Sequence, residues 1–235
     1  MMRIDKFICD AGLAGRREAR QLIKAGRIAV NGVAVTDCDF KLTPDKDTVT
    51  LDGRETAYRR FHYYIMNKPA GILTATEDRK QPTVADLLPD QACRQGVFPV
   101  GRLDKDTTGL LIFTDDGDFA HRVISPKLEI KKVYCAEVGG SPTQEDVKAF
   151  SGGLTLGDGT KCLPAKLEII GEHSCLVTVM EGKYHQVKRM LASRGLPVTA
   201  LKRLSIGGLE LGENLGSGEC RELSEDELCI VMNKK

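Results

Sequence analysis

The stretch Gly101-Arg102-Leu103-Asp104-Lys105-Asp106-Thr107-Thr108-Gly109-Leu110-Leu111 decides how most of this 235-residue chain is read. It sets one carboxylate, Asp104, between a glycine turn and the run Leu110-Leu111-Ile112-Phe113. That run reads as a buried strand. A strand beside a glycine-containing loop is a rigid mount for a reactive side chain. The plainer use of such an Asp is a turn residue bonded to its own loop backbone. Asp106, two residues on, is expected to point elsewhere.

Working outward, strands are expected at 97–100, 110–114, 132–138, 165–170, 175–180 and 199–201. Helices are expected at 118–124, 142–150, 184–193 and 225–231. Ser141, Pro142 and Gln144 read as the cap, first position and capping box of the second helix. Ser224 and Glu227 read as the capping box of the last. Upstream, Tyr63-Tyr64-Ile65-Met66-Asn67-Lys68-Pro69-Ala70-Gly71 reads as a strand broken by a proline and a glycine turn. Strands outnumber helices, so an α+β domain around a mixed, largely antiparallel sheet is expected over 62–235.

The first 58 residues look different. Ile4, Phe7, Ile8 and Ala11 fall at helical spacing, as do Ala19, Leu22 and Ile23. On the second helix Arg16, Arg20 and Lys24 stand four apart, which makes one basic stripe. Asn31-Gly32, between Ile28-Ala29-Val30 and Val33-Ala34-Val35, marks a type I′ hairpin. A further strand near 48–51 completes a small domain over 1–58, and the polar segment 53–60 reads as the linker.

Hydrophobic residues make up 41% and charged residues 29% of the chain, as in an ordinary globular protein. No run of about eighteen apolar residues occurs, so no membrane span is expected. Met1-Met2-Arg3-Ile4-Asp5-Lys6-Phe7 does not read as a signal peptide, which makes a cytoplasmic location the expectation. The eight cysteines include no C-x-x-C pair and several sit in apolar runs. They are expected to be reduced and mostly buried. The four histidines show no ligand spacing, so no metal site is expected. Net charge is only +1, but its distribution is uneven. Between Gly182 and Leu209 there is no acid, while Lys183, Lys188, Arg189, Arg194, Lys202 and Arg203 all occur; acids dominate after Glu210. Such segregation suggests a basic surface facing a polyanion.

Five stretches carry a resemblance. Residues 2–35 resemble an S4 domain, a small RNA-binding module, from Arg3-Ile4-Asp5-Lys6-Phe7-Ile8 through Arg16-Arg17-Glu18-Ala19-Arg20 to Asn31-Gly32. Asn67-Lys68-Pro69-Ala70-Gly71, the Asp104 stretch, Lys132-Val133-Tyr134 and Gly182-Lys183-Tyr184-His185-Gln186-Val187-Lys188-Arg189-Met190 resemble, in order, the motifs of pseudouridine synthases. The subfamily they are most similar to is the S4-containing one that includes the small-subunit (16S) rRNA enzyme.

The resemblance implies Asp104, Tyr134 and Lys188 as catalytic residues. Lys188 matches the basic position paired with the Asp, where many relatives carry Arg, and Tyr134 the residue that stacks on uracil. It implies substrate or RNA contacts at Asn67, Lys68, Arg102, Lys132, His185, Gln186, Arg189 and Arg203. In the S4 domain it implies Arg3, Lys6, Arg16, Arg17, Arg20, Lys24 and Arg27. No cofactor is implied. The partner is 16S rRNA in preference to 23S, free or in an assembling particle, and the enzyme is taken as a monomer. The chemistry is consistent with this. Breaking a glycosidic bond puts positive charge on the sugar, which an ionised carboxylate stabilises or traps. Attack at C1′ and proton removal from C2′ both remain open for Asp104. So do two other functions: a non-catalytic S4-type assembly factor, and, more distantly, a hydrolase with Asp106 as second carboxylate.

Overall fold

The computed structural model describes residues 1–56 and 58–232. Of the two expected domains, residues 57 and 233–235 lie outside the described residues. The chain divides into two compact units. One holds residues 1–62 together with 88–97, the other residues 63–87 and the chain from Phe98 onward.

In the first unit the helices Ile4–Asp10 and Arg16–Lys24 pack through Ile4, Phe7, Ile8, Ala19 and Ile23. Asn31 and Gly32 take φ of 51° and 80°, the two positive values a type I′ turn requires, and pair Ile28–Val30 with Val33–Ala34. Asp52 and Gly53, at 50° and 79°, repeat the device between Val49–Leu51 and Arg54–Thr56. Part of the segment expected as a linker is therefore a strand. Asp-Gly is as good a hairpin signal as Asn-Gly, and polarity alone hid it. The helix Asp90–Gln95, for which no element was expected, also belongs to this unit. It buries Ala92, and its Arg94 Nε donates to the Gly12 carbonyl at 3.0 Å. Six residues are too few to show a period.

The second unit is built on a nine-stranded mixed sheet. Its order is Lys166–Gly171, Ser174–Val179, Lys132–Val138, Val198–Ile206, Thr108–Thr114, Tyr63–Lys68, Cys220–Glu222, with Phe98–Pro99 and Leu209–Glu210 attached at the side. Every pairing is antiparallel but one. Val198–Ile206 runs parallel to Thr108–Thr114, in the register Lys202↔Thr108 and Arg203↔Gly109. That seam joins two antiparallel halves, each with its own core. One core gathers Ala136, Phe150, Val177, Met190 and Leu191 under Gln144–Gly152 and Gln186–Ala192. The other gathers Ile65, Leu110, Ile112, Phe119 and Val231 with Gly117–Ile124 and Glu225–Val231.

Three of the boundaries that move do so for a local reason. The strand expected at 199–201 runs from Val198 to Ile206, because charged Lys202 and Arg203 interrupt its apolar pattern without interrupting its pairing. The helix expected at 142–150 is Gln144–Gly152, capped by Thr143 with Asp146 rather than by Ser141 with Gln144. The helix expected at 184–193 is Gln186–Ala192, because His185 is left-handed at φ 47°. The Ser224–Glu227 capping box is present. The cysteines are all free, but only Cys162 and Cys175 are buried, while Cys93 and Cys229 are exposed. No helix among the described residues is long and apolar enough to cross a membrane.

Gly109 sits in the seam between Lys68 on one side and Arg203 on the other. Its φ is 101°, and a Cβ there would lie 2.2 Å from the Arg203 carbonyl oxygen. Gly109→Ala is therefore expected to destabilise the protein by roughly 3 kcal/mol, through strain and forced strand separation. A urea unfolding curve measures it, and an unchanged midpoint contradicts the close approach.

Candidate active site

The loop from Gly101 to Thr107 enters the Thr108–Thr114 strand and holds Asp104 by its backbone. Lys68, the last residue of its strand, is fully buried. Its Nζ donates to the carbonyls of Pro69 at 3.0 Å, Asp104 at 3.2 Å, Lys105 at 3.2 Å and Thr107 at 3.0 Å. Thr74 Oγ1 donates to the Leu103 carbonyl at 2.7 Å, and the Gly71 amide to the Lys105 carbonyl at 2.8 Å. Burial pushes Lys68 down to about 8, against the pull of Asp106 and Asp104. Lys68 is thus a buried fastener of the loop rather than an RNA contact. The sequence could not distinguish the two, because a lysine is ordinarily exposed.

With its backbone so fixed, the Asp104 carboxylate makes no hydrogen bond to its own loop among the described residues. It meets two side chains from the other half of the sheet: His185 Nε2 at 3.3 Å and Lys188 Nζ at 3.5 Å. Lys188, in the first turn of Gln186–Ala192, lies closer to Asp106, at 2.5 Å. That ammonium holds the Asp106 carboxyl below the usual carboxylate range. The expectation that Asp106 points elsewhere is therefore corrected: one cation spans two carboxylates. The Asp104 side chain is 25% exposed and so remains open to a substrate.

Asp104 lines a cavity of about 920 Å³ with Arg102, Lys132, Tyr134, His185 and Arg203. A recess of about 70 Å³ also touches Asp104 and Tyr134 and adds Lys188. Tyr134 is half-buried on Lys132–Val138, opposite Arg203, whose guanidinium lies 6.0 Å from its ring centre. The structure thus brings seven of the expected residues together. Three others, besides Lys68, serve the scaffold. Asn67 Nδ2 donates to the Leu215 carbonyl at 2.9 Å. Gln186 is buried, donates to Glu181 Oε1 at 2.8 Å and accepts from the Lys183 amide at 3.0 Å. Arg189 pairs with Asp158 at 2.5 Å.

The acid-free run 182–209 does not form the expected basic surface. Lys183 pairs with Glu181 at 2.7 Å and Arg194 with Asp146 at 2.8 Å, while Arg203 is buried. Acids outside the run pair with Lys183, Lys188, Arg189 and Arg194, which a charge count within the run cannot detect. Glu181, buried and bonded also to the Leu163 amide at 2.8 Å, is a positioning residue that sequence reasoning missed. An acid directly after an apolar strand was the available signal. In the first unit, Lys6, Arg16, Arg17 and Lys24 are exposed and without an ion pair among the described residues. Arg20 comes only to 4.0 Å of Asp5. Arg3 is paired with Asp5 and Asp39, and Arg27 with Asp52.

The sequence profile described as RNA pseudouridylate synthase matches residues 62–193, and that of the S4 domain residues 2–48. The chain is 43% identical to an uncharacterised RNA pseudouridine synthase of Bacillus subtilis, over 98% of each. It is 43% identical to the ribosomal small subunit pseudouridine synthase A of Vibrio cholerae, over 98% of this chain and 99% of that one. The protein of the same name in Escherichia coli is 39% identical, over 98% and 100%. A crystal structure of a pseudouridylate synthase, 32% identical, aligns with a TM-score of 0.68 over 98% of this chain and 100% of that one. Fold and site together define an RNA-modifying enzyme that carries an S4 domain. The chain belongs to the RNA pseudouridylate synthase family.

Replacing Lys68 tests the fastener. Lys68→Met leaves four carbonyls without their shared donor and is expected to cost about 2–4 kcal/mol of stability. At temperatures where the variant is folded, kcat is expected to fall, because Asp104 loses its backbone anchor. Urea unfolding with single-turnover kinetics checks both; a stable, fully active variant contradicts the role.

Proposed function

We propose that this protein isomerises one uridine of 16S rRNA to pseudouridine, with Asp104 as the essential carboxylate and without a cofactor. The observation that carries the reading is the Asp104 carboxylate, held by its loop beside Lys188 and His185 at the mouth of a cavity that Tyr134 also lines. The reaction breaks N1–C1′ and joins C5 to C1′ of the same uridine; C5 loses a proton and N1 gains one. An ionised carboxylate meets the sugar's positive charge, whether by attack at C1′ or by removal of the C2′ proton. Lys188 stands beside the carboxylate, and Tyr134 offers an aromatic face to a uracil taken out of the RNA stack. The names of the Vibrio cholerae and Escherichia coli relatives, which cover almost the whole chain, support the small-subunit substrate. An enzyme of rRNA acts where ribosomes assemble, in the cytoplasm. Arg102, and in the S4 domain Lys6, Arg16, Arg17, Arg20, Lys24 and Arg27, are the RNA contacts of this reading, with Arg3 at its edge. The protein works as a monomer.

Asp104→Asn keeps shape but not charge. It is expected to lower kcat by about a thousandfold in a tritium-release assay on 16S rRNA, with RNA affinity nearly unchanged. Activity within tenfold of wild type would falsify the assignment of Asp104. Mapping pseudouridines by carbodiimide-blocked primer extension in a deletion strain locates the substrate; a site lost from 23S instead of 16S rRNA overturns that part.

The S4 reading makes a separate prediction. Substituting Arg16, Arg20 and Lys24 together by Ala is expected to weaken rRNA binding and reduce the slope of log K against log salt by roughly two to three. An unchanged slope assigns the stripe to solubility.

A further inference from the structure

Two buried cations of the cavity have no carboxylate partner among the described residues. Lys132 is 7% exposed and Arg203 4%. Lys132 Nζ donates once, to the Val123 carbonyl at 2.9 Å. Arg203 Nε donates to the Leu110 carbonyl at 2.7 Å and Nη1 to the Tyr134 hydroxyl at 3.4 Å, while its buried Nη2 has no partner. Burial and the like charge of Arg203 push Lys132 down to about 8, so it remains largely charged at neutral pH. Placing two cations together in a dry site costs free energy in the resting protein.

The backbone explains why they meet. Lys132 and Tyr134 are two apart on one strand and share a face. Arg203 is the register partner of Tyr134 and lies on that face too. All three line the cavity that holds Asp104. Glu181, the other carboxylate on its wall, is committed to Lys183 and Gln186.

Asp104 serves the sugar half of the reaction and leaves the base half unserved. Heterolysis of N1–C1′ puts the bonding electron pair on uracil, spread over N1, O2 and O4. We infer that Lys132 and Arg203 are an anion-stabilising pair for the departing uracil. This rests on the proposed reading that the target uridine lies against Tyr134. Donors fixed where charge develops need no reorganisation when it appears. A pair with no resident anion is free for a transient one. When C5 attacks C1′ the electron pair enters the new C–C bond, the C5 proton leaves and N1 is protonated, so no oxidant or reductant is required. A backbone phosphate is a poorer occupant, because it would have to leave water to reach side chains this buried.

The full-length protein is tested in two ways. First, in single-turnover reactions on the rRNA fragment carrying the target, Lys132→Met is expected to slow loss of uridine about a hundredfold, with KM near wild type. With 5-fluorouridine at that position the fluorine itself stabilises the anion, so the same variant is expected to lose about tenfold or less, read by nucleoside chromatography. Arg203→Met should follow the same pattern, and Arg203→Lys should recover part of the rate. Equal losses on both substrates, or a loss confined to KM with a shallower salt dependence, assign the pair to structure or to phosphate and overturn the inference. Second, and without RNA, 5-nitrouracil is an anion at neutral pH. It is expected to bind wild type at least about tenfold more tightly than uracil by calorimetry, and Lys132→Met to abolish the preference. No preference overturns the inference whatever the rRNA target proves to be. Because Lys132→Met removes an unpaired buried charge, its urea midpoint is expected at or above that of wild type, which separates lost chemistry from lost folding.

Discussion

One ammonium group, Lys68 Nζ, is shared by carbonyls of Pro69, Asp104, Lys105 and Thr107, and the loop that carries Asp104 closes around it. The Asp104 and Lys105 carbonyls also accept backbone amides, from Thr107 and Gly71, but only the ammonium reaches all four and is shared among them. A single three-proton donor at the end of a buried strand links the loop to the sheet. The aspartate side chain then has nothing left to do for its own loop, and its carboxylate is free to face Lys188 and His185. Two different lysines thus meet the candidate carboxylate residue, one at its backbone and one at its side chain.

The site also depends on where the sheet is joined. Asp104 enters on one antiparallel half; Tyr134, His185 and Lys188 come from the other. Only two register pairs hold the parallel seam between them, and Gly109 is what lets the strands come close enough to form it. Charge follows a comparable division. In the catalytic unit Lys183, Arg189 and Arg194 are committed to acids, whereas the helix Arg16–Lys24 displays cations with few internal partners. In an enzyme of RNA, uncommitted charge gathers the polyanion and committed charge shapes the chemistry.

The local devices were legible in the sequence. Asn31-Gly32 predicted its turn, Ser224 and Glu227 their capping box, and the apolar run after Asp104 predicted its strand. What was not legible depended on distant partners. Lys68, Gln186 and Arg189 read as RNA contacts because lysine, glutamine and arginine are ordinarily on the surface; in the fold they meet carbonyls, Glu181 and Asp158. The run from 182 to 209 looked basic because its neutralising acids lie at 104, 106, 146, 158 and 181. The strand to Ile206 was shortened in expectation by two charged residues that the fold tolerates, one exposed and one buried among acceptors.

The seam has a consequence for the order of folding. Gly109 meets Arg203 only after a loop of more than ninety residues has closed, and the pairing of Met66 with Cys220 closes one longer still. Loop closure of that length costs conformational entropy before any contact returns it, so such pairings form late. The candidate site straddles the pairing of Gly109 with Arg203, so its residues come together only once the seam has formed. On the ribosome, a nascent chain has no working site until the strand ending at Ile206 has emerged.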